Sequence, residues 1–181
     1  MNQTDLETAA TLINNLSADD LADIFWRYGE ERHSRRLAKA IVQNRPFTTT
    51  LELASFIAEK MSRSRKPQRI HPATRIFQAL RIAVNDELGA LEKALEAGVS
   101  LLKENGRFCV ISFHSLEDRI VKQYFRAQSQ TCVCPPDQPI CVCDTQPTLK
   151  LVKRKAIKAT EAEIAQNPRA RSARLRVAEK V

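Results

Sequence analysis

Apolar positions along this chain follow two regimes in succession. In the first third they recur at three- and four-residue steps in short bursts. Leu21, Ile24, Phe25 and Tyr28 make one burst, and that spacing predicts a helix with one buried face. Ser17 and Asp20 mark its start, because a hydroxyl and a carboxylate three positions on satisfy free N–H groups. Gly29 breaks or bends the element. Leu37 and Ile41 mark a second helix, surrounded by Arg35, Arg36 and Lys39. Thr49 and Glu52 form a capping box ahead of a third, with Leu53, Ile57 and Met61 in line. Residues 1–66 are therefore expected to form a small all-helical subdomain, followed by a loop marked by Pro67 and Pro72.

From Ala73 the stripe strengthens. Phe77, Leu80, Val84, Leu88, Leu91, Leu95, Val99 and Leu102 keep helical spacing, which predicts one continuous helix ended by Asn105-Gly106. Asn85, Asp86 and Glu87 then sit on it, facing either a cleft or solvent. Phe108 to Ile111 is an unbroken apolar run, as expected of a central parallel strand covered on both faces. Cys109 within it reads as a small core residue. Ser115 and Asp118 are expected to cap a further helix that buries Ile120, Val121, Tyr124 and Phe125. Residues 128–148, with Pro135, Pro136, Pro139 and Pro147, read as a loop. Leu149, Leu151 and Lys153 alternate as an edge strand, and Thr160 with Glu163 starts a short helix that Asn167-Pro168 stops. In the last strand Ala173, Leu175 and Val177 are assigned inward and Arg174 and Arg176 outward. Helix, strand, helix in this order predicts an α/β domain over 67–181.

Charge sharpens the picture. The net charge is +8, and it is unevenly spread. Residues 150–181 carry ten Lys or Arg against Glu161, Glu163 and Glu179. A second basic stretch runs through Lys60, Arg63, Arg65, Lys66, Arg69 and Arg75, with no acid before Asp86. Two separated basic zones suit a phosphate backbone, the alternative being a solvated surface. No apolar run approaches the ~18 residues of a membrane span. The first residues lack the basic start and apolar core of a signal peptide. The expected setting is cytoplasmic, with no membrane partner.

Five motifs carry a resemblance. They are Tyr28-Gly29-Glu30-Glu31-Arg32, Ile70-His71-Pro72-Ala73-Thr74-Arg75, Ala79 to Leu88, Ser112 to Arg119, and Asn167-Pro168-Arg169-Ala170-Arg171-Ser172. In this order they resemble the bacterial small-subunit ribosomal RNA methyltransferase H family, over nearly the whole chain. That resemblance implies the C-terminal part of a Rossmann-like, S-adenosylmethionine-dependent methyltransferase with a helical, substrate-side insertion. It implies N4-methylation of a cytidine in the decoding region of 16S rRNA, and the small ribosomal subunit as partner. The chain departs from the family in one respect. Its only glycines are Gly29, Gly89, Gly98 and Gly106, so the glycine-rich cofactor turn has no counterpart. No cofactor-binding residue is assigned, and the chain alone is expected to be inactive. The expectation is a truncated, split or mis-started gene product, needing a missing N-terminal half or associating with itself. The alternatives are a non-catalytic RNA-binding remnant and a metal-stabilised interaction module.

Candidate chemistry is sparse. His114 and Ser115 follow the expected strand end, the edge at which open α/β sheets bind ligands. They face either the acceptor base or the methionine end of the cofactor, or else serve only as turn and cap. His71 precedes a helix start, where a phosphate meets free N–H groups. With Arg69, Arg75, Arg169, Arg171, Arg174 and Arg176 it forms the expected RNA-contacting set. Cys132, Cys134, Cys141 and Cys143 form two C-x-C pairs in the proline-rich loop. Such pairs are compatible either with a four-thiolate zinc site or with a reduced, metal-free loop.

Overall fold

The computed structural model describes residues 8–61, 71–132, 134–135 and 143–181. Its contacts divide the chain into two compact units, Met1–Glu87 and Leu88–Val181. The sequence places the division at 66/67. The difference arises because the helix from Ala73 packs with the helical bundle before it.

The first unit holds α1 (Ala9–Asn15), α2 (Ala18–Arg27), α3 (Ser34–Gln43), α4 (Thr50–Met61) and α5 (Ala73–Asn85). Ser17 accepts from the Asp20 N–H and so starts α2 as its sequence predicts. The stripe of α2 closes on Leu37, Ile41, Leu53, Ile57, Ile76 and Leu80 in one core. Between α2 and α3 the chain reverses at Tyr28-Gly29-Glu30. Glu30 sits at φ 48. A side chain on Gly29 would meet the Phe25 carbonyl oxygen at 2.7 Å and that of Arg75 at 2.9 Å. Backbone, unlike a flexible side chain, cannot yield there. Glu31 is buried, and its carboxylate accepts the His33 N–H at 2.8 Å.

The stripe from Phe77 to Leu102 is not one helix. Asp86 takes a left-handed conformation, φ 45 and ψ 44, and ends α5. Helix α6 (Glu87–Leu101) starts again directly after it. The stripe therefore serves two cores, with Phe77, Leu80 and Val84 in the first and Leu91, Leu95 and Val99 in the second. Asn85 and Glu87 are committed to the break. Arg81 donates to both oxygens of Glu87, at 2.8 and 3.0 Å, and the Asn85 amide donates to Glu87 at 3.2 Å.

The second unit is α/β. After α6 come β1 (Arg107–Ser112), α7 (Ser115–Gln128), β2 (Leu149–Leu151), β3 (Ile157–Lys158), α8 (Glu161–Gln166), a 3-10 turn (Pro168–Ser172) and β4 (Arg174–Lys180). The sheet order is β1-β4-β2, and β3 also pairs with β4. Every pairing with β4 is antiparallel. Here the expectation of a doubly covered parallel strand is corrected. Strand β1 alternates, with Phe108 and Val110 joining the core of Leu95, Val99, Val121, Phe125, Leu149 and Ala178. Cys109 is exposed rather than buried, and Ile111 is 58% exposed. Among the described residues β1 pairs with β4 alone.

The faces of β4 are likewise opposite to their sequence assignment. Register sets Arg174 beside Ser112, Arg176 beside Val110 and Ala178 beside Phe108. Arg174, Arg176 and Ala178 thus share the packed face, while Leu175 and Val177 share the face of Ile111 and Cys109. Gly98 of α6 makes room on the packed side, since a Cβ there would lie 2.5 Å from the Phe108 ring. Among the described residues no helix is long and apolar enough to cross a membrane.

The break at Asp86 yields a prediction. A left-handed residue other than glycine costs about 1 kcal/mol or more, least for Asp and Asn and most for β-branched side chains. Urea unfolding followed by circular dichroism should show Asp86→Gly at least as stable as the parent. Asp86→Val should lose about 1–2 kcal/mol. A continuous α5–α6 helix would give the reverse order.

Candidate nucleic-acid interface

The carboxyl end of β1 leads through Phe113 into α7. Here His114, not Ser115, is the N-cap. Its Nδ1 accepts the Glu117 N–H at 3.4 Å. Glu117 returns the bond, accepting the Phe113 N–H at 2.8 Å and the His114 N–H at 3.2 Å. This reciprocal box satisfies donors at both ends of the turn. Ser115, assigned as cap from sequence, is the first helical residue. His114 Nε2 lies 3.2 Å from a Glu117 oxygen but makes no well-angled hydrogen bond.

Burial raises the Glu117 pKa, but the His114 side chain beside it and the bonds it accepts from the Phe113 and His114 amides outweigh it. The carboxyl is held down to about 2. Asp118 is buried one residue on. Arg176 grips it in a fork, Nε to Oδ1 at 2.8 Å and Nη2 to Oδ2 at 3.2 Å. Arg174 donates to Oδ2 at 2.9 Å. Burial pushes the Asp118 carboxyl up, and the two guanidiniums more than reverse it, leaving it below the ordinary carboxylate range.

This clamp corrects the expected RNA set. The Arg176 side chain is only 11% exposed and is committed to Asp118; it joins β4 to α7 instead of offering charge to solvent. Arg174 is 45% exposed and has donors to spare. It lines a cleft of about 300 Å³ with Phe113, His114, Ser115, Lys158, Arg171 and Ser172. Pro168 ends α8 and opens the 3-10 turn, and Ala170 anchors that turn by burial. Arg169 and Arg171 both stand exposed on it. Arg171 reaches the cleft, and Arg169 does not line it. The cleft thus joins an aromatic ring, 57% exposed at Phe113, to three cations and two hydroxyls. Such a set offers stacking to a base and charge-assisted bonds to a phosphate. Lys158, Phe113 and Ser172 were not singled out from sequence. Only the density of positive charge in the tail could have hinted at Lys158.

The other expected contacts lie in the helical unit. His71 Nδ1 accepts the Ala73 N–H at 3.2 Å, so its side chain caps the start of α5. Arg75 is exposed in the first turn of α5. Arg69 lies outside the described residues.

Three of the loop cysteines come together. The sulfurs of Cys132, Cys134 and Cys143 lie within 4.8 Å of one another, and Cys132 and Cys143 are 3.6 Å apart. That is far longer than an S–S bond of about 2.05 Å. It is close to the edge of about 3.8 Å that a tetrahedron with 2.3 Å metal–sulfur bonds requires. The Cys134 N–H points at the Cys132 sulfur at 3.4 Å. Cys141 lies outside the described residues.

A sheet whose last strand runs antiparallel between its neighbours, with a cationic cleft at a strand end, defines an α/β domain whose cleft has the groups to take a phosphate and a base. The chain belongs to the MraW methylase family, whose model matches residues 1–181. It is 55% identical over 174 residues to the ribosomal RNA small subunit methyltransferase H of Dehalococcoides mccartyi, covering 96% of this chain and 49% of that protein. The protein of the same name from Geotalea uraniireducens is 55% identical over 178 residues, covering 97% and 57%. That from Citrifermentans bemidjiense is 53% identical over 184 residues, covering 100% and 59%. The chain therefore spans about half the length of the curated relatives it matches. Its α/β unit is the C-terminal part of a Rossmann-like methyltransferase fold.

The resemblance implies S-adenosylmethionine, and the described residues do not fit it. Among the described residues no strand runs into a glycine turn, and the cleft at the end of β1 is lined by cations, which suit a phosphate better than a sulfonium.

The clamp can be tested directly. Asp118→Asn leaves Arg176 buried without its counter-charge and should cost about 3 kcal/mol in urea unfolding at pH 7. Both carboxyls are depressed in the folded state. Their stabilisation is full above the ordinary carboxylate range and is lost as pH falls through each depressed pKa, which for Glu117 is about 2. Glu117→Gln should therefore flatten the loss of stability below pH 4.5. Unchanged stability in Asp118→Asn would remove the clamp from this account.

Proposed function

We propose that this chain is the RNA-side part of an S-adenosylmethionine-dependent rRNA methyltransferase. Its target is N4 of a cytidine in the decoding region of 16S rRNA, in the small ribosomal subunit. The observation that carries this is the cleft of Phe113, Lys158, Arg171 and Arg174 at the end of β1, in a chain of the MraW methylase family. The relatives' shared name supplies the substrate class.

The roles divide as follows. Arg171, Lys158 and Arg174 bind phosphate, and Phe113 offers a ring to an unstacked base. Glu117 and Asp118 hold the cleft's frame. His114 and Ser115 stand at its edge, where an acceptor base would lie. Arg169, Arg75, Arg69 and His71 are further RNA contacts of this reading. Among the described residues none makes a cofactor site, and on this reading the chain by itself is inactive as a methyltransferase. The exposed Ile111 and the second edge of β1 support self-association or docking of a complementary N-terminal half.

The test replaces Lys158, Arg169 and Arg171 together with Gln, leaving the Asp118 clamp intact. Binding of a decoding-region RNA hairpin should weaken, and the slope of log affinity against log salt should fall by about 2. Calorimetry with S-adenosylmethionine should show no micromolar binding by the chain alone. Unchanged RNA affinity and slope in a folded variant would contradict the RNA reading, and micromolar cofactor binding would contradict the division of roles.

A second reading concerns the proline-rich loop. It is a zinc ion held by the four thiolates of Cys132, Cys134, Cys141 and Cys143, with structural effect only, and the clustering of the Cys132, Cys134 and Cys143 sulfurs within 4.8 Å supports it. Protein purified without chelator should carry about one zinc, and cobalt substitution should give thiolate charge-transfer bands that Cys132→Ser/Cys143→Ser abolishes. Metal-free protein with unchanged thermal stability would argue for a reduced loop without metal.

A further inference from the structure

A second cleft lies in the helical unit. It measures about 640 Å³, and its walls include Asp19, Trp26, Arg32, His33, Arg35 and Arg36. Trp26 closes the last turn of α2 with 59% of its surface exposed. A large aromatic so placed contributes little to the core, which Leu21, Phe25 and Ala22 of the same helix already supply. Arg32, His33, Arg35 and Arg36 are exposed too. Among the described residues no ion pair engages any of the three arginines.

The backbone that presents them is held firmly. Gly29 admits the close approach of the Phe25 and Arg75 carbonyls, and buried Glu31 fixes the His33 amide. A buried carboxylate and a sterically required glycine thus set the direction of the turn before Arg32. A neighbouring cleft of about 250 Å³ shares His33 and Arg36 and adds Lys60. Lys60 pairs there with Glu59 at 3.1 Å, so the basic character of this surface rests on Arg32, Arg35 and Arg36.

We infer that this surface is a second RNA-contacting site, one that takes an unpaired nucleotide by stacking its base on Trp26 while Arg32, Arg35 and Arg36 hold its phosphates. The inference rests on the RNA reading above and extends it to residues that reading does not use. Aromatic rings interleaved with arginines are how single strands are held without base pairing. Two acids of α2, Asp19 and Asp23, line the same cleft as Trp26. Asp23 is neutralised by Arg27 at 2.9 Å, but Asp19 makes no ion pair among the described residues. An acidic side chain has neither a flat ring for Trp26 nor a donor for this carboxylate. A nucleotide instead brings base amino groups and a ribose 2′-hydroxyl that can donate to it.

Trp26 is the chain's only tryptophan, so its fluorescence reports on this site alone. A single-stranded RNA decamer titrated into the full chain should quench and shift that emission, in a salt-dependent way. With end-labelled decamer followed by anisotropy, Trp26→Leu should weaken binding roughly ten-fold. Arg32→Gln/Arg35→Gln/Arg36→Gln should lower the salt slope by about 2. All these side chains are exposed, and unchanged thermal melting would certify the fold; Trp26→Phe, which keeps a ring, should retain most of the affinity. The proposal is overturned if the decamer binds without perturbing Trp26 and the two variants bind as the parent does. In that case loss of binding on replacing Lys158, Arg169 and Arg171 would leave the first RNA reading standing. It is equally overturned if polyglutamate quenches Trp26 as well as RNA does. If no RNA binds the chain at all, both readings fall together.

Discussion

The α/β unit depends on one buried carboxylate. Asp118 lies in the first turn of α7 and accepts from two arginines two residues apart on β4. Removing an ion from water costs several kcal/mol, and only close, well-angled partners return it. Here the fork from Arg176 and the single bond from Arg174 meet that demand. In doing so they fix which face of β4 turns toward α7. Ala178 then enters the core beside Phe108, and Leu175 and Val177 are left on the side of Ile111. The same clamp leaves part of Arg174 free, at the mouth of the cleft. One interaction thus fixes strand orientation, core composition and the placing of charge at the candidate site.

This explains why some of the molecule was legible in its sequence. Helix starts were, since Ser17 and Thr160 act locally and cap as read. Core stripes were also, because three- and four-residue spacing reports one buried face whatever that face touches. The faces of β4 were not. Alternation says that Arg174, Arg176 and Ala178 share a side, but not which side. The default sends arginine outward. Only knowledge that a lone aspartate waits across the sheet reverses it. Cys109 followed the same error, since a short apolar run does not reveal whether one face or two are covered.

The break at Asp86 was hidden for a related reason. The stripe runs through it in phase, so periodicity alone predicts one helix. What separates α5 from α6 is that their stripes serve different cores, a property of the tertiary structure. Aspartate tolerates the left-handed conformation without announcing it as glycine would. Glu31 was similarly disguised: among charged neighbours it looked like surface, and it is buried as a strut for the turn that carries Arg32 and His33. Of the residues expected at a site, His114, Ser115, Arg171 and Arg174 do converge. They do so because the Asn167-Pro168 turn and the β1–α7 junction are brought to one end of the sheet by β4.

The central claim is that this end of the sheet faces RNA. Ultraviolet cross-linking of the chain to a 16S decoding-region fragment, with the linked peptides located by mass spectrometry, tests it most directly. The account predicts cross-links at Phe113 and within the segment from Arg169 to Arg174. Cross-links confined to the opposite face of the sheet, at Cys109, Ile111 or Val177, would contradict it.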